Sequence, residues 1–225
     1  MTDPTPGELA ADALNRAVEL DLGVADIEPL AAGEHYRVYA SRRVVDGEQL
    51  VVRLPRRAAG IGQPGRVRRA AGVLEILAER SLPFEVPRTL GFTDTAHGLA
   101  VVETRMDGVE LAEAALDEGL SAADITARVA AACHRLDAAP FREVLDDPGG
   151  NARLLHGDLL PQNILVDTSG DELTISVVDW DAVRLGDPEE DLKAVIRGYD
   201  TVFSTGETAE DLREAYEQYV AGPPT

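Results

Sequence analysis

The sequence is poor in the residues that mark several common classes of protein. It contains a single cysteine, Cys133, which excludes an intramolecular disulfide and a cysteine-rich zinc site. Because Cys133 lies in an apolar helical run, we expect it to be buried by packing. Aromatic residues make up only 4% of the chain. No segment approaches the ~18 consecutive apolar residues of a membrane-spanning helix, and the first residues show no secretory signal. These features predict a cytoplasmic protein with no membrane partner.

Basic residues are few beside acidic ones. The 21 Lys and Arg residues, of which only Lys193 is a lysine, face 41 Asp and Glu residues, and the formal net charge is −20. Nucleic-acid binding needs Lys and Arg to neutralise phosphates, so the composition argues against a nucleic-acid partner. The acidity either steers a cationic substrate or is a general solubility feature. With 225 residues and 44% hydrophobic content, the chain can bury a substantial core.

The spacing of apolar residues predicts a series of helices and strands. Helical spacing over 7–22 and 66–80 predicts two helices, and β-branched and aromatic residues predict hairpins from 35–41 with 49–54 and from 88–92 with 99–103. Ser121 and Asp124 have the spacing of a capping box that opens a further helix. Two short strands follow, at 163–166 and 173–178, and the remainder is predicted to be helical.

Three oxygen-bearing side chains are concentrated around this last pair of strands. Asp158 and Asn163 lie five residues apart in the segment LHGDLLPQNILV, and Asp179 follows sixteen residues later in VVDWD. Phosphoryl transfer needs an acceptor to orient the attacking hydroxyl and hard oxygen ligands for Mg²⁺. We therefore predict that Asp158 is catalytic and that Asn163 and Asp179 bind the metal.

The same residues resemble the catalytic segment of a known family. His156-Gly157-Asp158-Leu159 with Pro161 and Asn163, followed by Asp179-Trp180-Asp181, is similar to the aminoglycoside phosphotransferase and choline kinase group, relatives of the protein kinases. The chain would be a short member of that group. The resemblance implies an α+β, bilobal, protein-kinase-like fold with a small antiparallel-sheet N-lobe and a mainly helical C-lobe. The implied domains are an N-lobe at 1–103, a hinge at 104–108 and a C-lobe at 109–225.

The resemblance also implies a donor, a cofactor and an acceptor. The donor would be ATP or GTP, the cofactor Mg²⁺, and the acceptor a hydroxyl group of a small molecule such as an aminoglycoside or another amino alcohol. Nucleotide-binding roles are implied for Arg53 on its strand, Gly33 in a covering turn, and the backbone of Thr104 and Met106. His156 and Asp191 are implied to brace the catalytic loop, and Asp181 either assists the metal or is merely solvated. His134 is expected to be a structural histidine.

The sequence departs from the family pattern in two places. The helix glutamate that normally pairs with the basic strand residue falls on Ala70, with Glu75 five residues later, so either the alignment slips or Arg53 is held another way. Only about 50 residues separate the hinge from His156, and 44 follow Asp181, so the acceptor region must be small. It is either open, completed by a second subunit, or suited to a larger partner. A pseudokinase, a nucleotide-binding interaction module and a compact protein kinase stay open as alternatives, as does the oligomeric state.

Overall fold

The computed structural model describes most of the chain in two compact units. The described residues are 27–32, 36–41, 47–55, 63–95, 98–117, 119–202 and 206–222. The predicted helix at 7–22 and the candidate nucleotide residue Gly33 lie outside them. One unit contains the described residues up to Ala71 together with Pro87–Arg105, and the other contains Gly72–Val86 with the described residues from Met106 onward. The predicted functional boundaries at 103 and 109 stay a prediction.

The first unit is built on a five-stranded antiparallel sheet. Its strands are β1 (Ile27–Ala32), β2 (Tyr36–Ser41), β3 (Leu50–Pro55), β4 (Thr89–Thr95) and β5 (Gly98–Thr104), in the order β1-β2-β3-β5-β4. Both hairpins predicted from the sequence are present. Strand β1 was not predicted. Its residues 28–30, which include Pro29, are all exposed, so the strand lacks the alternation of buried and exposed side chains. A proline is tolerated there because β1 is an edge strand whose register shifts between Pro29 and Ala31.

The alternation of side chains along the strands gives this sheet two different faces. On one face, a buried cluster joins Leu50, Val52 and Leu54 of β3 to Ala100 and Val102 of β5. On the other face, Leu99 and Val101 pack with Val67, and Phe92 is partly buried against them. Since successive residues of a strand point to opposite faces, Arg53 lies on this second face beside Val101, its partner in the register.

The second unit is mainly helical. The helices of the described chain are α1 (Gln63–Ala78), whose residues divide between the units, α2 (Leu111–Asp117), α3 (Ala122–Arg135), α4 (Pro188–Val202) and α5 (Ala209–Ala221). Short strands β6 (Val109–Glu110), β8 (Ile164–Asp167) and β9 (Thr174–Val177) form one small sheet, and β7 (Arg153–Leu155) pairs with β10 (Arg184–Gly186). The segment after Val178 was wrongly predicted to be helical throughout, since a 3₁₀ turn at Trp180–Ala182 and strand β10 precede α4.

Helix α3 begins with only part of the expected capping box. Ser121 accepts a hydrogen bond from the Asp124 N–H at 3.1 Å, as predicted. The Asp124 carboxylate, expected to return a bond to Ser121, instead accepts from the Tyr219 hydroxyl of α5 at 3.0 and 3.1 Å. The Glu207 carboxylate accepts from the N–H groups of the first turn of α3. The bond from Tyr219, which is distant in sequence, thus replaces the expected local bond between Asp124 and Ser121.

Among the described helices, none has the length and apolar character needed to cross a membrane.

A glycine at the start of β6 should be essential for the small sheet. Gly108 has φ +110°, and a Cβ built there would lie 2.5 Å from the Val166 carbonyl oxygen. We expect Gly108→Ala to lower the free energy of unfolding by the ~1–2 kcal/mol of a strained φ plus the ~1–3 kcal/mol of a forced overlap. Urea titration of both variants is the measurement, with Gly150→Ala as control because Gly150 has φ +66° and open space around it. Equal losses in the two variants would contradict the predicted overlap.

Candidate active site

The loop after β7 brings two of the predicted residues into direct contact. The amide nitrogen Nδ2 of Asn163 donates to the main-chain oxygen of Asp158 at 2.7 Å and to its carboxylate Oδ2 at 3.2 Å. The loop between them closes through Leu160 N–H to Asp158 O and Asn163 N–H to Leu160 O, both at 2.8 Å. Buried Pro161 opens the 3₁₀ turn Pro161–Asn163 with its φ already fixed. The Asp158 carboxylate is therefore oriented while remaining exposed.

The third predicted residue, Asp179, follows strand β9 and lies next to this loop. Val178 N–H donates to the Asn163 carbonyl at 2.9 Å, so Asp179 is one residue from a direct backbone partner of Asn163. Asp179 has φ 60°, and it is the only non-glycine residue with positive φ in the part of the chain that the structure describes. A left-handed backbone costs an aspartate roughly 1–2 kcal/mol, and such strain concentrates at functional sites. The structure thus gathers Asp158, Asn163 and Asp179 within the second unit.

The buried Trp180 side chain fixes the turn that follows Asp179. Its indole N–H donates to the Val177 carbonyl at 2.9 Å. The ring stacks at 6.3 Å on Phe84 and lies 4.6 Å from the His156 ring, centroid to centroid. Because Trp180 immediately follows Asp179, these contacts limit the directions that the Asp179 carboxylate can take. Asp181, the other acidic residue of the motif, is half-buried in the 3₁₀ turn that begins at Trp180.

His156 links the loop that carries Asp158 to the segment that carries Asp179 through two hydrogen bonds. Its Nδ1 atom accepts from the Asp158 N–H at 3.3 Å, so the ring proton lies on Nε2, which donates to the Val178 carbonyl at 3.1 Å. Burial lowers the pKa of His156, outweighing the nearby charges of Asp191, Asp179 and Asp158, which raise it. A neutral His156 therefore fits both bonds, whereas a second ring proton would face the Asp158 N–H.

Asp191 at the start of α4 braces the same loop. One carboxylate oxygen accepts from the Gly157 N–H at 3.0 Å, and the other lies 3.2 Å from His134 Nε2. His134 Nδ1 in turn lies 2.8 Å from the Tyr216 hydroxyl of α5. Although burial alone raises the pKa of Asp191, the hydrogen bond and charge of His134, with help from His156 and the Gly157 N–H, lower it. Burial, and then neighbouring carboxylates, raise the pKa of Tyr216 to about 12.

Arg53, in the first unit, is paired with a residue that the sequence had not singled out. Its Nε lies 3.0 Å from Glu103 Oε2, an ion-pair contact, and its Nη2 donates to Glu103 Oε1 at 3.4 Å. Its guanidinium also lies 5.0 Å from the centre of the Tyr36 ring. Both ends of the pair are buried. Glu103 on β5 therefore holds Arg53, as the second of the two explanations left by the sequence anticipated.

The remaining predicted nucleotide residues are only partly described. Thr104 N–H donates to the Arg88 carbonyl and Thr104 Oγ1 accepts from the Arg88 N–H, both at 2.9 Å. Of the two Thr104 backbone groups, the N–H is therefore already engaged, and a backbone contact to a purine would use the carbonyl oxygen. Met106 is half-buried and belongs to the second unit.

The donor set fits a magnesium ion that is shared with phosphate groups. Because Asn163 presents Nδ2 to Asp158, its Oδ1 lies on the other side of the amide and is the atom that would bind a cation. Asp179 adds a carboxylate from the neighbouring strand end. Among the described residues, no group of three or more His, Cys, Asp or Glu side chains forms a self-contained metal cage. One or two protein oxygens with phosphate oxygens is the usual arrangement for Mg²⁺ in phosphoryl-transfer sites.

Comparison with known proteins agrees with this geometry. The profile of the phosphotransferase enzyme family (APH) matches residues 26–152 and 110–224. Viomycin phosphotransferase of Streptomyces vinaceus is 32% identical over 204 residues, covering 69% of this chain and 70% of that protein. The GDP and kanamycin complex of APH(2″)-IIia has a TM-score of 0.66 at 14% identity, covering 91% of this chain and 82% of that one. For APH(3″)-Id from Streptomyces rimosus, with ADP and streptomycin, the TM-score is 0.64 at 17% identity, covering 95% and 92%.

At these identities the solved structures establish the fold, and the sequence matches establish the family. The fold is α+β and protein-kinase-like, with an antiparallel sheet in the first unit and a mainly helical second unit. The chain belongs to the phosphotransferase enzyme family and is a kinase-type phosphotransferase. Both conclusions confirm what the catalytic segment predicted.

Sequence reasoning missed three residues that the structure places around these groups. Glu103 carried a signal, because it is the one charged residue in the apolar strand β5. Trp180 was read as part of a motif, without its contacts to Phe84 and His156. Tyr216 carried no signal, because its partner His134 is 82 residues away in sequence.

The buried neutral His156 predicts a loss of stability in acid. Since its folded-state pKa is lowered, the unfolded chain binds a proton first, and stability is lost as the pH falls below the unfolded value of about 6.5. We expect the free energy of unfolding to fall between pH 7 and 5 by up to ~1.4 kcal/mol per pH unit from this group. Urea titration at several pH values, compared with His156→Phe, isolates the contribution. A variant that keeps the full wild-type slope would refute it.

Proposed function

We propose that the protein transfers the γ-phosphoryl group of ATP or GTP to a hydroxyl group of a small molecule. The single observation that carries this proposal is the bond from Asn163 Nδ2 to the Asp158 carboxylate, because it orients an exposed carboxylate beside a group able to bind a metal. A base and a metal ligand side by side are what phosphoryl transfer to an alcohol requires.

Asp158 is the group that we propose meets the acceptor. Its carboxylate accepts the hydrogen bond of the incoming hydroxyl and takes the proton as the new oxygen–phosphorus bond forms. The bond from phosphorus to the leaving nucleoside diphosphate breaks in the same displacement. Asn163 fixes one carboxylate oxygen, so the other is directed toward the acceptor. Positioning of this kind, rather than covalent chemistry, supplies most of the rate in phosphoryl transfer.

Asn163 Oδ1 and the Asp179 carboxylate are the groups that we propose hold Mg²⁺. When bound, the ion neutralises charge on the phosphate oxygens. The left-handed backbone of Asp179, fixed through Trp180, presents the carboxylate without rearrangement. Arg53, held by Glu103, is the proposed cation for the nucleotide phosphates, while His156 and Asp191 keep the loop in place.

For the acceptor we propose a cationic amino alcohol or amino sugar. Viomycin phosphotransferase is similar in sequence, and two structurally similar proteins were solved in complexes with kanamycin and with streptomycin. The formal net charge of −20 supports a cationic acceptor, because an acidic surface raises the local concentration of a basic ligand.

The first test replaces the proposed base. Asp158→Asn should lower phosphoryl transfer about 10²–10⁴-fold, the usual contribution of a positioned base, while nucleotide binding is little changed. Transfer is measured with labelled ATP and GTP against peptide antibiotics such as viomycin, aminoglycosides, macrolides, choline-like alcohols and hydroxy-amino acids. Asp171→Asn, at an exposed turn between β8 and β9, is the matched control and should keep full activity.

The outcomes of this test separate the alternatives. Wild-type protein with neither nucleotide binding nor turnover would overturn the enzyme proposal. Binding that is indifferent to Mg²⁺, with no transfer to any acceptor, would favour a pseudokinase or a nucleotide-binding module. Phosphate appearing on protein hydroxyl groups would instead favour a compact protein kinase.

The second test addresses the metal. Asp179→Asn keeps a residue that tolerates left-handed backbone, so the fold should persist while the charge is removed. We expect the Mg²⁺ concentration for half-maximal activity to rise about tenfold or more, equivalent to at least ~1.4 kcal/mol of lost metal binding. Activity against Mg²⁺ concentration is measured alongside thermal unfolding. An unchanged Mg²⁺ requirement in a folded, active variant would remove Asp179 from the site.

A further inference from the structure

The Arg53–Glu103 pair lies on one face of a part of the sheet whose register is regular. In the register of β3 and β5, Arg53 faces Val101 and Val51 faces Glu103, so Arg53 and Glu103 are diagonal neighbours on one face. This face also carries Leu99 and Val101, which pack with Val67. The ion pair is thus buried beside these apolar side chains, with its own side chains only 10% and 6% exposed.

The stability of the sheet does not require a charged pair at this position. Removing two charges from water costs several kcal/mol per ion, and a well-packed apolar pair is often as stable or more stable. The Tyr36 ring, 5.0 Å from the guanidinium, makes a further contact that suits a cation. Glu103 and Tyr36 thus both favour a positive charge at Arg53, which points to a use for that charge.

We propose that Glu103 is the positioning residue of Arg53, supplying from strand β5 the carboxylate that the resemblance had led us to expect on a helix. This inference rests on the proposed function, in which Arg53 contacts the nucleotide phosphates. The carboxylate contacts the Nε and Nη2 side of the guanidinium. The ion pair therefore orients the guanidinium before the nucleotide arrives, which reduces the entropy lost on binding.

A residue that positions a phosphate-binding arginine should affect the phosphates and not the base. We therefore compare binding of ATP and GTP, with Mg²⁺, against binding of adenosine and guanosine, by isothermal titration calorimetry on the full chain. Glu103→Gln preserves shape and removes the charge. We expect it to weaken triphosphate binding about tenfold, corresponding to ~1.4 kcal/mol, while leaving nucleoside binding unchanged.

Two further variants separate positioning from a general effect on folding. In an Arg53→Met background, Glu103→Gln should produce no additional loss of triphosphate binding, because the arginine it positions is gone. Val102→Ala, a buried neighbour on the opposite face of β5, destabilises the same strand without touching the pair and should leave the ratio of triphosphate to nucleoside affinity unchanged. Thermal unfolding confirms that each variant is folded at the temperature of measurement.

Each outcome decides the question. Equal losses for triphosphates and nucleosides, or the same change in Val102→Ala, would show that Glu103 only stabilises the sheet and would overturn the proposal. Tighter triphosphate binding in Glu103→Gln would also overturn it, because Glu103 would then compete with phosphate for Arg53. If wild-type protein binds no nucleotide at all, the proposed function fails instead. Wild-type binding with an unaffected Glu103→Gln variant refutes the positioning role alone.

Discussion

The candidate site depends most on the contacts that the Asp191 carboxylate makes with Gly157 and His134. Only 1% of this residue is exposed, and its two oxygens bond to Gly157 on the loop and to His134 on α3. The rest of the loop is then built by short-range bonds that run from Asp158 to Asn163. Fixing Gly157 therefore fixes the direction in which the whole loop leaves β7. The lowered pKa of Asp191 means that the charged form predominates in the folded state, and this charged form strengthens both bonds.

Backbone strain in the second unit lies next to the site and is compensated by packing close by. Asp179 adopts a left-handed conformation, and Gly157, at φ +83°, runs so close to the Ala182 carbonyl that a Cβ would overlap it. Between these two points the Trp180 ring is buried against Phe84 and His156. An aromatic side chain of this size buries enough apolar surface to offset a few kcal/mol of local strain. The strain therefore lies at Asp179, while at Gly157 the glycine adopts positive φ without strain and allows the close approach to Ala182.

The sequence predicted both hairpins of the first sheet from local pattern and the fold class from the resemblance of its catalytic segment. It also singled out Asp158, Asn163 and Asp179, which the structure places in one unit. Strand alternation is visible over five or six residues, and the spacing from Asp158 to Asn163 is set by one short turn. It did not predict strand β1, whose edge position and proline remove the alternation. It also missed half of the α3 cap and the partner of Arg53. Those depend on Tyr219 and Glu103, which reach their partners only through the assembled fold.

The positively charged residue on strand β3 is an arginine, Arg53, and this has a chemical consequence beyond its geometry. The charge of a lysine at this position would depend on the balance between burial and the nearby Glu103 carboxylate, whereas a guanidinium keeps its proton at any pH at which a protein survives. The positive charge at Arg53 is therefore independent of acidity. It is also unreactive toward acylating reagents, which need a free amine. Amine-directed labels would react in this chain with Lys193 on α4 and with the terminal amine, and would leave the proposed nucleotide cation unmarked.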